Sequence, residues 1–189
     1  MTCEEVKEIL KIRLSKKRYT HSLNVANEAV KLAKAYGGDE DKAYLAGLTH
    51  DICKEIPQEE QLMMAKSCGM DFTETESLIP PLYHSAAGAY YLKKVLHIDD
   101  TDILAAVRYH TAGRAGMSLL EKIIYIADLI SADRTYKDVS RMRKLAYEDL
   151  DKAMFEALRF SISDTLNKSS FIPESTWAAY NFFAKMMKG

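Results

Sequence analysis

Apolar positions recur along this chain at helical spacing. In residues 2–13, Val6, Ile9, Leu10 and Arg13 share one face, and Glu4 and Glu5 sit near the positive end of the helix dipole. Ser15 then caps a helix over 16–36, whose stripe runs through Leu23, Val25, Ala26, Ala29, Val30, Leu32 and Ala33, and Gly37-Gly38 stops it. Asp39 caps a third helix. Its run Ala43-Tyr44-Leu45-Ala46-Gly47-Leu48-Thr49 is apolar on nearly every side, so it belongs in the core. Pro57 opens a short helix over 58–68, closed by Gly69. Residues 70–81 show no period and end in Pro80-Pro81, which predicts a loop. Further helices are expected over 82–96, over 102–110 with Thr101 as cap, over 118–132, over 138–167 and over 174–187. The fold class is all-α, a compact helical bundle forming a single domain across residues 1–189, with no internal repeat or linker.

Composition agrees with that picture and narrows the function. Of 189 residues, 48% are hydrophobic and 28% charged, as in a globular protein. A net charge of −1 gives no global attraction for nucleic acid or for an anionic membrane, so neither is expected as a partner, and phosphate binding must be local. No apolar run approaches the roughly 20 residues of a membrane helix. The acidic start Met1-Thr2-Cys3-Glu4-Glu5 has no signal-peptide pattern, and Cys3, Cys53 and Cys68 read as reduced thiols, so a cytoplasmic location is expected.

The chemistry sits at the ends and centres of the apolar segments. His50-Asp51 closes the buried third helix, where an unpaired charge is costly. His21, His84, His110 and Asp128 lie in similarly apolar surroundings, whereas His97 falls in a polar link and reads as a surface residue. Imidazoles and carboxylates together suit a first-row transition metal such as iron, manganese or zinc. No cysteine has zinc-finger spacing, which speaks against a closed structural zinc site and for an open site between helices.

The order His21, His50-Asp51, Asp128 resembles the H…HD…D pattern of the HD-domain metal-dependent phosphohydrolases, and His84 and His110 match the two extra histidines of its two-metal members. The words Arg18-Tyr19-Thr20-His21-Ser22-Leu23-Asn24-Val25-Ala26, His50-Asp51-Ile52-Cys53-Lys54, His110-Thr111-Ala112-Gly113-Arg114 and Glu121-Lys122-Ile123-Ile124-Tyr125-Ile126-Ala127-Asp128 are similar to the bacterial YqeK group of symmetrical diadenosine tetraphosphate hydrolases. The similarity covers about residues 5–185. Two departures are Ala112, where a second hydroxyl residue is expected, and Ser131-Ala132-Asp133 before Arg134, where the group more often has an acidic residue, a proline and an asparagine.

The resemblance implies that His21, His50, Asp51 and Asp128 hold one metal and that His84 and His110 hold a second, with Asp51 bridging. One or two ions are implied, iron first, with manganese or another metal as the alternative. Such ions acidify a bound water towards a pKa of ~7 and supply a nucleophile without a serine or cysteine. Asp51, Lys54, His84 and His110 are the expected catalytic group. Because the carboxylates repel a polyphosphate, cations must surround the site: Arg18, three residues before His21, then Lys54, Arg114 and Arg134. Expected substrate contacts are Arg18, His84, His110, Thr111, Arg114, Arg134 and, as a stacking ring, Tyr180. Glu121, one helix face with Asp128, is a candidate for orienting a ligand histidine. The implied reaction cleaves a dinucleoside polyphosphate into two nucleoside diphosphates, with ADP as product. Hydrolysis of a monophosphate, deoxynucleoside triphosphate or cyclic nucleotide, or nucleotide binding without turnover, are the alternatives, and a homodimer is left open.

Overall fold

A computed structural model describes residues 2–188. Ten α-helices account for most of them: α1 (Cys3–Arg13), α2 (Lys16–Tyr36), α3 (Glu40–Thr49), α4 (Gln58–Lys66), α5 (Tyr83–Lys94), α6 (Thr101–Tyr109), α7 (Leu119–Ile130), α8 (Val139–Glu148), α9 (Leu150–Asn167) and α10 (Glu174–Lys188). No strand occurs among the described residues. The all-α expectation therefore holds. No helix among them is long and apolar enough to cross a membrane.

The helix starts follow local chemistry. Thr2 and Ser118 each form a capping box, with Glu5 and Glu121 respectively, while Ser15 and Asp39 accept from backbone amides at the starts of α2 and α3. Gly37 ends α2 in the left-handed conformation, φ 69°, that a glycine adopts without strain. Three expectations need correction. The cap of α6 is Asp100, whose carboxylate accepts from Asp102 N (3.0 Å) and Ile103 N (3.2 Å), so Thr101 is already helical. The loop 70–81 contains two 3-10 turns, Glu76–Leu78 and Pro80–Leu82. The helix expected over 138–167 is two helices, because Asp149 turns extended (φ −157°, ψ 102°) and its side chain caps α9 by accepting from Lys152 N at 2.9 Å.

One apolar cluster runs from Val6 and Leu10 on α1 to Phe183 on α10. Its centre is the packing of α2 on α3 and α7 and of α6 on α3, α5 and α7. The α2–α3 contact is unusually tight. A Cβ on Gly47 would lie 2.8 Å from Ala26 Cα, so only glycine lets α3 approach α2 this closely. That approach matters for chemistry, because the end of α3 carries His50 and Asp51 and the facing side of α2 carries His21. The turn after α3 is pinned from outside: Ser15 Oγ donates to Glu55 Oε1 (2.8 Å), and Arg13 Nε donates to the Ile52 carbonyl (3.3 Å).

Candidate metal centre

Five elements deliver the expected ligands to one place. His21 comes from α2, His50 and Asp51 from the end of α3, His84 from the first turn of α5, His110 from the end of α6 and Asp128 from α7. His21, His50, Asp51, His84 and His110 are buried, and three overlapping sets have ligand atoms within 4.8 Å of one another: His21, His50 and Asp51; His50, His110 and Asp128; Asp51, His84 and His110.

Asp51 is at the middle, and its two oxygens face different partners. Oδ2 lies 3.3 Å from His50 Nε2, 4.0 Å from His21 Nε2 and 2.8 Å from the Arg18 guanidinium. Oδ1 lies 3.2 Å from His84 Nε2 and 3.8 Å from His110 Nε2. His84 and His110 meet through their Nε2 atoms at 3.1 Å. Asp128 Oδ1 lies 3.0 Å from His21 Nε2 and also contacts Arg134.

The outer nitrogens of three rings are already engaged. Nδ1–H of His50 donates to the Gly47 carbonyl (2.7 Å), Nδ1–H of His110 to the Val107 carbonyl (2.7 Å) and Nδ1–H of His21 to Asp133 Oδ2 (2.8 Å). These acceptors select the tautomer that leaves Nε2 as a lone pair pointing inward. Nε2 of His21 and of His50 are buried with no hydrogen-bond partner. Lone pairs thus face carboxylate oxygens, acceptor against acceptor, and a cation between them is what satisfies both. The residues present fit a metal ion.

Electrostatics follow from this crowding. Burial opposes ionisation of Asp51, but His50 and His84 outweigh it and hold the carboxyl well below the usual carboxylate range. Burial acts the same way on Asp128, where His21, His50 and Arg134 prevail and keep it ionised. Burial, reinforced by His50 and His84, pushes His110 down to about 3, and burial also lowers His84, so both are neutral imidazoles. His50 is raised, because Asp51 overcomes the effect of burial. Lys54 is lowered, first by burial and then by Arg18 and Arg134.

The cationic candidates divide. Arg18 contacts Asp51, Arg134 contacts Asp128, and Lys54 Nζ lies 3.2 Å from His84 Nε2. Thr111 Oγ1 is 3.4 Å from the same nitrogen. Arg114 is turned to Glu121, with Nε–Oε1 at 2.6 Å and a second bond of 2.8 Å. Glu121 therefore engages an arginine and a helix start, and the carboxylate against a site histidine is Asp133. Asp133 also accepts from Asn24 and Ser131. Asp133, beside Arg134, carries no sequence signal for this role, because its contact with His21, 112 residues away, has no local pattern. Tyr180 stacks between Phe155 and Trp177, and it does not line the cleft beside His110 and Asp128. That cleft, of about 240 Å³, is lined by Thr111, Arg134, Tyr136 and Phe160 among others. A second opening, beside His21, is lined by Lys16, Lys17, Thr20 and Asp133.

An all-helical bundle with histidines and aspartates from five elements around one buried carboxylate defines a class, and comparison agrees: residues 18–133 match the HD domain family, to which the chain belongs. Among individual relatives, the chain is 36% identical to the protein of Bacillus subtilis named bis(5'-nucleosyl)-tetraphosphatase, symmetrical, over 96% of this chain and 97% of that one. It is 37% identical to the protein of the same name from Halalkalibacterium halodurans, over 92% of each. Its fold matches the crystal structure of a predicted HD superfamily hydrolase, described as involved in NAD metabolism, from Clostridium acetobutylicum, with a TM-score of 0.94, 39% identity and 98% of each chain covered.

Proposed function

We propose that this chain is a metal-dependent phosphohydrolase that cleaves diadenosine tetraphosphate symmetrically, adding one water and releasing two ADP. The observation that carries the reading is the division of Asp51: one oxygen faces His21 and His50, the other His84 and His110. On that division, His21, His50, Asp51 and Asp128 would hold one ion, and His84 and His110, with Asp51 between the two sets, would hold a second. The histidine-rich donor set with carboxylates suits a first-row transition metal, iron being the first choice. When bound, the ions supply Lewis acidity towards a phosphoryl oxygen and acidify a water into a nucleophile.

The protein's own groups do the rest. His84 and His110, held neutral by burial, keep lone pairs for ligation. Asp133 fixes the tautomer of His21, and the Gly47 and Val107 carbonyls fix those of His50 and His110. Lys54 and Arg134, with Arg18 on the far side of Asp51, balance the charge that gathers on a departing diphosphate. Thr111 offers a hydroxyl to a phosphate oxygen. The site opens through the cleft that His110, Asp128, Thr111 and Arg134 line, and Lys16 and Lys17 edge a separate opening on the outer side of His21. On this reading the whole chain serves one site, in a cytoplasmic protein.

The test is product analysis. Metal-loaded protein incubated with diadenosine tetraphosphate should give ADP alone; AMP with ATP, or no turnover, would overturn the reading.

A further inference from the structure

The cleft beside His110 and Asp128 does not end at the cations. Its lining continues through Tyr136, Phe160 and Ser161 to Asp164. A second bay of about 270 Å³ shares Leu129, Tyr136, Ala157 and Phe160 with it and extends to Asp138, Met142 and Ser163. The two bays form one groove between α7, the turn before α8, and α9. Its combined size falls in the ~300–1,000 Å³ range of small-molecule clefts.

Two rings line this groove: Tyr136 packs in part against the core, whereas Phe160 has no such packing to explain it. Phe160 is 64% exposed, although it lies on a helix whose inner face buries Ala153, Met154, Ala157 and Leu158. Tyr136 lines both bays, and its hydroxyl is buried without a hydrogen-bond partner. An exposed ring and an unsatisfied hydroxyl, reached along one wall from the phosphate-binding arginine, are what a nucleoside needs: a flat apolar face for the base and a polar group for its edge or its ribose. Tyr180, by contrast, has both neighbours occupied, by Phe155 and Trp177.

Resting on the phosphohydrolase reading, we infer that this groove is a nucleoside subsite, in which Phe160 stacks on the base of one nucleotide while Arg134 and Thr111 hold its phosphates. The acidic and hydroxyl groups at its rim, Asp164 and Ser161, offer acceptors to an amino-purine, so an adenine base with its exocyclic amine suits them.

The experiment measures equilibrium binding of ADP and of inorganic pyrophosphate to the metal-loaded full chain. Wild type should bind ADP more tightly than pyrophosphate. Phe160→Ala should weaken ADP about 5- to 100-fold, with pyrophosphate within twofold. Phe160→Trp should restore ADP binding, and Tyr136→Phe should weaken it about 2- to 10-fold. If wild type binds the two ligands alike, or Phe160→Ala leaves ADP affinity unchanged, the subsite is elsewhere and the inference fails. A wild type that binds ADP through Phe160 yet cleaves no diadenosine tetraphosphate would sink the catalytic reading and leave the subsite standing.

Discussion

Two groups of charge are buried in this molecule, and they are built in opposite ways. Under the 3-10 turns, Arg108 donates to both oxygens of Glu76, at 2.8 and 2.7 Å, and lies against the rings of Tyr109 and Phe72. Cation meets anion there, and the loop 70–81 is fastened to α6. At the centre of the bundle, imidazole lone pairs meet carboxylate oxygens, and two ring nitrogens have no partner. The first group neutralises its own charge through one guanidinium nitrogen, Nη2, although Nε and Nη1 of Arg108 are left without hydrogen-bond partners. The second is closed only by something added. Burial of charge alone thus does not mark function; the mark is inward-facing ligand atoms, Nε2 of His21 and of His50, that no protein donor reaches even with Arg18 on Asp51 and Arg134 on Asp128.

The largest effect that sharpens this contrast belongs to Asp51. Asp51→Asn should leave the helical fold intact and lower hydrolysis by at least about 10³-fold, since several kcal/mol of metal-derived stabilisation depend on it. Steady-state kinetics beside a circular dichroism melt would check both halves. The Arg108–Glu76 pair should behave the other way. Glu76→Ala strands a buried guanidinium and should cost about 3–5 kcal/mol of stability by urea unfolding, whereas replacing both partners with apolar residues should cost far less. Next comes Gly47→Ala. The added Cβ meets Ala26 backbone at 2.8 Å, so α3 must shift, with a loss of about 1–3 kcal/mol and weaker metal retention in dialysis against a chelator.

The smallest effect is in pH. In the metal-free protein His110 is held down to about 3, below the 6.5 of a free imidazole. Between these values the unfolded chain binds a proton that the folded chain refuses. Stability from this residue is therefore complete above pH 6.5 and falls as the pH drops, by up to about 1.4 kcal/mol per unit. The difference between wild type and His110→Gln in chemical unfolding from pH 7 to 5 isolates that slope. Equal slopes would show that His110 takes its proton in the folded state.

Much of this architecture was legible in the sequence because its causes are local. Ser15 and Asp39 cap where hydroxyl and carboxylate precede an apolar stripe, and Gly37 ends α2 where a left-handed residue is needed. The break at Asp149 was hidden because the helical spacing of Ala146 and Leu150 continues across it, and only the carboxylate's preference for a cap gives it away. At the site, the chain order of histidines and aspartates pointed to one cluster, and the fold brings those six side chains together. What the sequence did not disclose depends on how separate segments pack together, over long or short stretches of chain. Asp133 reaches His21 because the turn after α7 packs on α2, Glu121 pairs with Arg114 across a loop, and Phe160 joins Tyr136 in a groove between separate helices. Tyr180 illustrates the converse: an aromatic-rich stretch marked it for a base, and its neighbours are the rings of Phe155 and Trp177.

The central claim is that the acceptor cluster around Asp51 is completed by cations. Metal content per chain should be measured on protein purified without chelator, together with the melting temperature before and after metal removal, for wild type and for Asp51→Asn. Two transition-metal ions per wild-type chain, a melting temperature that falls on removal, and neither property in Asp51→Asn are the results expected. Wild type that retains no metal, or an Asp51→Asn protein that retains the same metal and the same shift, would contradict the account.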